Sequence, residues 1–151
     1  EMEMDRRHFM FAGSASIALL ATGALPAVAA GDPTAADLLK EFTGGAETVD
    51  DKISLTTPEI AENGNTVPIS VEVDSAMDGS DMVQSIMILA DGNPRPEVVT
   101  FNFTAMSGEA AAKTRIRLAK TQNVIAVAKM ADGSFQMASN EVKVTIGGCG
   151  G

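Results

Sequence analysis

Apolar residues recur at every second position through much of this chain, and that period restricts it to a fold built from strands. Val67, Ile69, Val71 and Val73 alternate with Pro68, Ser70, Glu72 and Asp74. Val99, Phe101 and Phe103 alternate with Thr100, Asn102 and Thr104, and Ile116 and Leu118 are interleaved with Arg115 and Arg117. Val142, Val144 and Ile146 frame Lys143 and Thr145. Successive strand side chains point to opposite faces, so each run is a half-buried antiparallel strand. Turn signals fall between them at Glu62-Asn63-Gly64-Asn65, Asp91-Gly92-Asn93-Pro94, Ser107-Gly108 and Asp132-Gly133-Ser134. About seven short strands at this spacing predict an all-β fold, an immunoglobulin-like antiparallel β-sandwich, over residues 31–146. A short helix is expected ahead of it. Asp32 is placed to cap that helix and Pro33 suits its first position, Leu38, Leu39 and Phe42 line one side, and Gly44-Gly45 stops it.

Two segments break the alternation. Ser85-Ile86-Met87-Ile88-Leu89-Ala90 and Val124-Ile125-Ala126-Val127-Ala128 are apolar on both faces. The outer face of a two-layer sandwich should be wet, so a second apolar face needs a cover. A partner subunit on one side, and the N-terminal helix or a neighbouring loop on the other, are equal candidates. Arg95, Lys113, Arg115 and Arg117 read as members of surface ion pairs on an acidic protein, with attraction of an anionic sulfur compound as the sharper alternative.

The first thirty residues read as an export signal. Asp5-Arg6-Arg7-His8-Phe9-Met10 is a twin-arginine signature, followed by a mildly apolar run from Phe11 to Leu25 and by Ala27-Val28-Ala29-Ala30, a small-residue site of the kind signal peptidase cleaves. Residues 1–30 are therefore expected to be removed, after Ala29 or Ala30, and the mature chain to work in the periplasm without a membrane anchor. Without Glu1, Glu3, Asp5, Arg6 and Arg7, the count is 9 basic against 17 acidic residues, a net charge of −8. Such a surface does not favour nucleic acid or anionic lipid.

Cys149 is the only cysteine and stands in Gly147-Gly148-Cys149-Gly150-Gly151. A thiol flanked by glycines lacks the apolar neighbours of a packing cysteine, so residues 147–151 read as a slim, flexible arm bearing one nucleophile. An unpaired cysteine in an exported protein points to a reactive thiol or an intermolecular bond. The only histidine, His8, lies in the signal segment. That leaves no imidazole for a Cys-His pair or a Ser-His-Asp triad, and no ligand set for zinc or blue copper. No metal, no resident cofactor and no independent catalysis are expected. No lysine, arginine or helix start adjoins Cys149 in sequence, so its activation is expected inside a partner's basic or metal-bearing pocket. Two other readings stay open: an exported structural or adhesive immunoglobulin-like module, and a ubiquitin-like sulfur carrier reacting through a thiocarboxylate at Gly150-Gly151.

The residues then carry a resemblance. Pro58-Glu59-Ile60-Ala61-Glu62-Asn63-Gly64 followed by Val67-Pro68-Ile69, then Asn93-Pro94-Arg95-Pro96-Glu97, Thr114 through Ala126, and Val142 through Gly151 together resemble the SoxY family. These are the covalent sulfur carriers of bacterial thiosulfate oxidation. The resemblance implies that Cys149 is the attachment sulfur, bearing sulfur or thiosulfate adducts, and that Gly147, Gly148, Gly150 and Gly151 form the arm that enters successive active sites. It further implies a heterodimer with SoxZ. Transient partners would be the haem-containing SoxAX, the dimanganese hydrolase SoxB and the sulfur dehydrogenase SoxCD. A SoxZ subunit exported bound to this chain would explain a twin-arginine signal, carried by Arg6 and Arg7, on a protein without a cofactor.

Overall fold

The computed structural model describes residues 31–149, so the twin-arginine segment, Gly150 and Gly151 lie outside the described residues. Helix α1 spans Ala35–Thr43. Nine strands come after it: β1 Thr48–Val49, β2 Ile53–Thr56, β3 Ile60–Asn63, β4 Val67–Val73, β5 Val83–Ala90, β6 Glu97–Asn102, β7 Ala110–Ile116, β8 Gln122–Met130 and β9 Phe135–Ile146. One sheet has the order β1-β9-β8-β5-β6, with β3 added on β9, and the other has the order β2-β4-β7. The fold is the expected immunoglobulin-like sandwich. Two of the nine strands depart from the antiparallel pattern, because β1 and β3 both run parallel to β9. Both are too short for an alternating pattern to show in the sequence.

The sandwich core comes from the period of two. On β4, Val67, Ile69, Val71 and Val73 point inward and are nearly sealed from solvent, while Pro68 and Glu72 point out. They face Ile86, Ile88 and Ala90 of β5 and Val124, Ala126 and Ala128 of β8. The other faces of β5 and β8 are what the alternation left unexplained. Met87 and Leu89 of β5, Val127 of β8 and Phe135 of β9 form a second cluster, packed by Leu38, Leu39 and Phe42 of α1. The Phe42 and Phe135 rings meet edge to face, with centroids 6.0 Å apart. The cover is the helix, and Leu89 and Val127 are fully buried beneath it within a single chain.

The helix starts later than its sequence suggested. Thr34, not Asp32, is the N-cap: its hydroxyl accepts the Asp37 N–H at 3.2 Å while the Asp37 carboxylate accepts the Thr34 N–H at 3.0 Å. This reciprocal box satisfies two donors at once. Asp32 is followed by Pro33, which has no N–H, and the Thr34 N–H that comes next is already taken by Asp37. At the other end Gly44, with φ of 64°, takes the left-handed turn that lets the chain double back.

Among the described residues, the ion pairs expected of Arg95, Lys113, Arg115 and Arg117 do not form. Among the described residues the ion pair is Lys52–Asp81, at 2.7 Å. The β4–β7 register sets Pro68 opposite Arg115 and Ser70 opposite Lys113, so no carboxylate faces either cation across the ladder. Asp81 also accepts the Ala76 N–H at 2.8 Å, which ties the β4–β5 connection to the start of β2.

Two outcomes are expected. Phe42→Ala should cost about 2 kcal/mol, below the full cost for a buried phenylalanine because Phe42 is half-buried. It should also increase binding of a hydrophobic dye, as the Met87–Leu89 face loses its cover. Acid titration followed by far-ultraviolet dichroism should show stability falling below the ordinary carboxylate range. Hydrogen bonds from Thr34 to Asp37, from Lys52 to Asp81 and from Ser134 to Asp132 hold all three carboxyls below 3.8. A carboxyl depressed in the folded state stabilises above its unfolded value, and that contribution is lost as pH falls through the folded one.

Candidate functional site

Strand β9 has twelve residues and, besides the short parallel pairing with β1 at its start, serves two ladders in succession. Its first part pairs antiparallel with β8, ending at Val142 opposite Gln122. Beyond that point β8 is absent, and residues 143 to 146 pair in parallel with β3. The Gly64 N–H extends this ladder by one rung to the Ile146 carbonyl at 2.7 Å. The chain that leaves β9 is therefore aimed by β3, not released into solvent at the sheet edge.

Past Ile146 the chain lies in a slot. The Gly64 carbonyl accepts the Leu118 N–H at 2.8 Å, and the Leu118 carbonyl accepts the Gly148 N–H at 2.9 Å. Three segments distant in sequence are thus joined through single peptide groups. The fit is close enough to require glycine. A Cβ on Gly147 would collide with the Ala119 carbonyl, and one on Gly64 with the Leu118 carbonyl. A Cβ on Gly148 would stand 2.7 Å from the Gly64 oxygen. Gly147 and Gly148, expected as a slim and mobile tether, also meet a packing requirement, because backbone approaches backbone where they lie. Gly148 is buried and Cys149, the next residue, is exposed.

The platform under the slot is held by two buried amide side chains that the sequence did not single out. Asn93 donates from Nδ2 to the Arg117 carbonyl at 2.8 Å, and its Oδ1 accepts the Ala119 N–H at 2.9 Å. The same oxygen accepts Gln122 Nε2 at 2.8 Å, and Gln122 Oε1 accepts the Gly92 N–H at 2.8 Å. Both side chains are under 10% exposed, Asn93 at 7% and Gln122 at 6%, and every buried polar atom on them is paired. A satisfied buried network of this kind fixes geometry, because breaking any member leaves an unpaired group out of reach of water. Its signal in the sequence was slight. Asn93 reads as a turn residue, and nothing local ties it to Ala119, 26 positions away.

On the opposite wall, the Asn63 Oδ1 accepts both the backbone N–H of Asn65, at 2.9 Å, and its Nδ2, at 3.1 Å. The Asn65 Oδ1 accepts the Cys149 N–H at 3.2 Å. Among the described residues no lysine or arginine is hydrogen-bonded to the cysteine, and no three His, Cys, Asp or Glu side chains stand together as a metal site. A cleft of about 830 Å³, lined by Thr56, Pro58, Pro68, Lys113 and Arg115 among others, lies on the β2-β4-β7 sheet and includes no residue of the arm. Cys149 thus presents an exposed thiol from a docked backbone.

A family model described as sulfur oxidation protein SoxY matches residues 39–149. The chain belongs to the SoxY family. Among solved structures, the sulfur carrier protein SoxY from Chlorobium limicola f thiosulfatophilum matches with a TM-score of 0.61 and 30% identity, over 74% of this chain and 96% of that one. The fold is shared more widely. A superoxide reductase (neelaredoxin) from Ignicoccus hospitalis matches with a TM-score of 0.55 at 17% identity, over 74% of this chain and 93% of that one. A superoxide reductase from Nanoarchaeum equitans matches with 0.53 at 13%, over 63% and 99%. At such identities these two matches speak for the fold alone. No curated protein sequence matches the chain significantly.

The slot makes its own prediction. Gly64→Ala should lower stability by about 2 kcal/mol, since the added methyl meets backbone on two sides. The urea midpoint should fall with an unchanged denaturant slope.

Proposed function

We propose that this chain is a periplasmic covalent carrier of sulfur in thiosulfate oxidation, with Cys149 as the attachment point. The observation that carries the reading is the placement of Cys149. Its thiol is exposed at the rim of the slot, on a glycine segment narrow enough to enter another protein's cleft. Membership of the SoxY family supplies the cargo.

The chemistry needs no base from the carrier. A haem-containing partner removes two electrons as the Cys149 thiol loses its proton and joins the outer sulfur of thiosulfate, leaving a cysteine S-thiosulfonate. A hydrolase then adds water across the sulfur–sulfonate bond, releasing sulfate and leaving a persulfide on Cys149. Thiosulfonate and persulfide are reversible states of the thiol and not end products of oxidation. Tethering keeps each intermediate attached and raises its concentration at the next enzyme. SoxZ is the expected stable partner, with SoxAX, SoxB and, for the remaining sulfur, SoxCD as transient ones. The twin-arginine pair Arg6-Arg7 would carry the folded complex out.

Intact-mass spectra of the protein from thiosulfate-grown cells, before and after a reductant, test the reading. Sulfur-sized or thiosulfate-sized additions lost on reduction are expected on the wild type. Cys149→Ser should abolish them, with an unchanged thermal midpoint because the side chain is exposed. A bare thiol under all conditions, with the pathway active in the same cells, would return the structural-module reading.

A further inference from the structure

The slot's hydrogen bonds single out one residue next to the thiol. Asn65 is exposed. Its orientation is nonetheless set, because the Asn63 Oδ1 takes both the backbone N–H and the Nδ2 of Asn65. With the nitrogen end committed to Asn63, the oxygen end faces the Cys149 N–H at 3.2 Å. The two partners are 84 positions apart in sequence. We infer that Asn65 is a positioning residue for the carrier thiol, a latch on the backbone of Cys149 that holds the arm in its slot between encounters. The inference rests on Cys149 being the sulfur-bearing residue.

The latch acts at the right point of the arm. Gly148 is held below by the Leu118 carbonyl and Cys149 by the Asn65 Oδ1. For the sulfur to travel into a partner's cleft, the Cys149 bond must open first and the Gly148 bond second, since the arm peels from its outer end. The two bonds differ in kind. Gly148 is buried and its N–H meets a backbone carbonyl of the platform fixed by Asn93. Cys149 is exposed and its partner is a side chain that water can replace. The outer bond is thus the weak one, and it decides how often the thiol is free to extend. One neutral hydrogen bond contributes about 1 kcal/mol net, which corresponds to about a fivefold change in that population.

Amide hydrogen exchange on the full chain, read residue by residue by nuclear magnetic resonance, tests this. Asn65→Ala should speed exchange at Cys149 about fivefold, with a smaller change at Gly148 and none at Val124 or Ile88 in the core strands. Asn65→Asp keeps an acceptor oxygen but loses the Nδ2 bond to Asn63, and should restore part of the protection at Cys149. A nitroxide attached to Cys149 should gain mobility in Asn65→Ala and less in Asn65→Asp. Unchanged exchange at Cys149 in Asn65→Ala would overturn the inference. So would loss of protection spreading to the core strands, which would make Asn65 a structural residue. Intact masses of the same variants from thiosulfate-grown cells separate the two ideas. Adducts on Cys149 with unchanged exchange sink the latch alone, and absence of adducts from the wild type sinks the carrier reading.

Discussion

The central strands β5 and β8 are apolar on both faces, and the rest of the molecule is arranged around that fact. One face, with Ile86, Ile88, Val124 and Ala126, closes the sandwich against β4. The other, with Met87, Leu89 and Val127, would be left in water by a two-layer fold, and α1 covers it with Leu38, Leu39 and Phe42. The protein is therefore three layers deep at its middle. Burial of that second face holds β9 as well, since Phe135 belongs to the same cluster and β9 pairs along β8 for its first eight positions. The strand that delivers the cysteine starts from the best-buried part of the molecule.

From there the structure exchanges hydrophobic anchoring for backbone hydrogen bonds. Past Val142, β9 loses β8 and gains β3, and its exposed Ile146 contributes little to the core. Direction is kept by single peptide groups: Ile146 to Gly64, Gly64 to Leu118, Leu118 to Gly148. Each such bond is worth about 1 kcal/mol net, enough to seat a short segment and too little to keep it seated against a competing partner. A carrier needs that balance. The buried amides Asn93 and Gln122 fix the platform, and the exposed thiol lies one residue past the last buried position, Gly148.

Much of the fold was legible because strand side chains repeat with a period of two and turns use a small set of residues. Val67 to Val73 and the Gly64-Asn65 and Asp132-Gly133 turns sit where their pattern placed them, whereas Val142 to Ile146, expected as an antiparallel strand, pairs in parallel with β3 beyond Val142 and leaves Ile146 exposed. The helix was legible by its apolar side, but its first residue was not. Thr34 outcompetes Asp32 through a reciprocal bond with Asp37, which depends on geometry and not on residue preference alone. Among the described residues the cations on β7 lack the pairing their charge suggested, because pairing depends on which residue lies across the ladder, and Pro68 and Ser70 lie there. At the site, Cys149 stood out by composition. Asn65, Asn93 and Gln122 did not, since a polar residue in a turn looks the same whether it faces water or an arm folded back from far along the chain.

By itself the sequence determined the strand-built class of this protein, its two-faced central strands and the one thiol available for chemistry. These are properties of residue type and local period, written within a few positions of one another. Tertiary structure alone decided that α1 covers the second apolar face, that β3 takes over β9 where β8 ends, and that Gly147 and Gly148 lie against Ala119 and Gly64. Each is a contact between segments tens of residues apart. Such contacts are chosen by the packing of the whole chain, where burying an apolar face or pairing a last carbonyl selects one neighbour among several that local patterns allow.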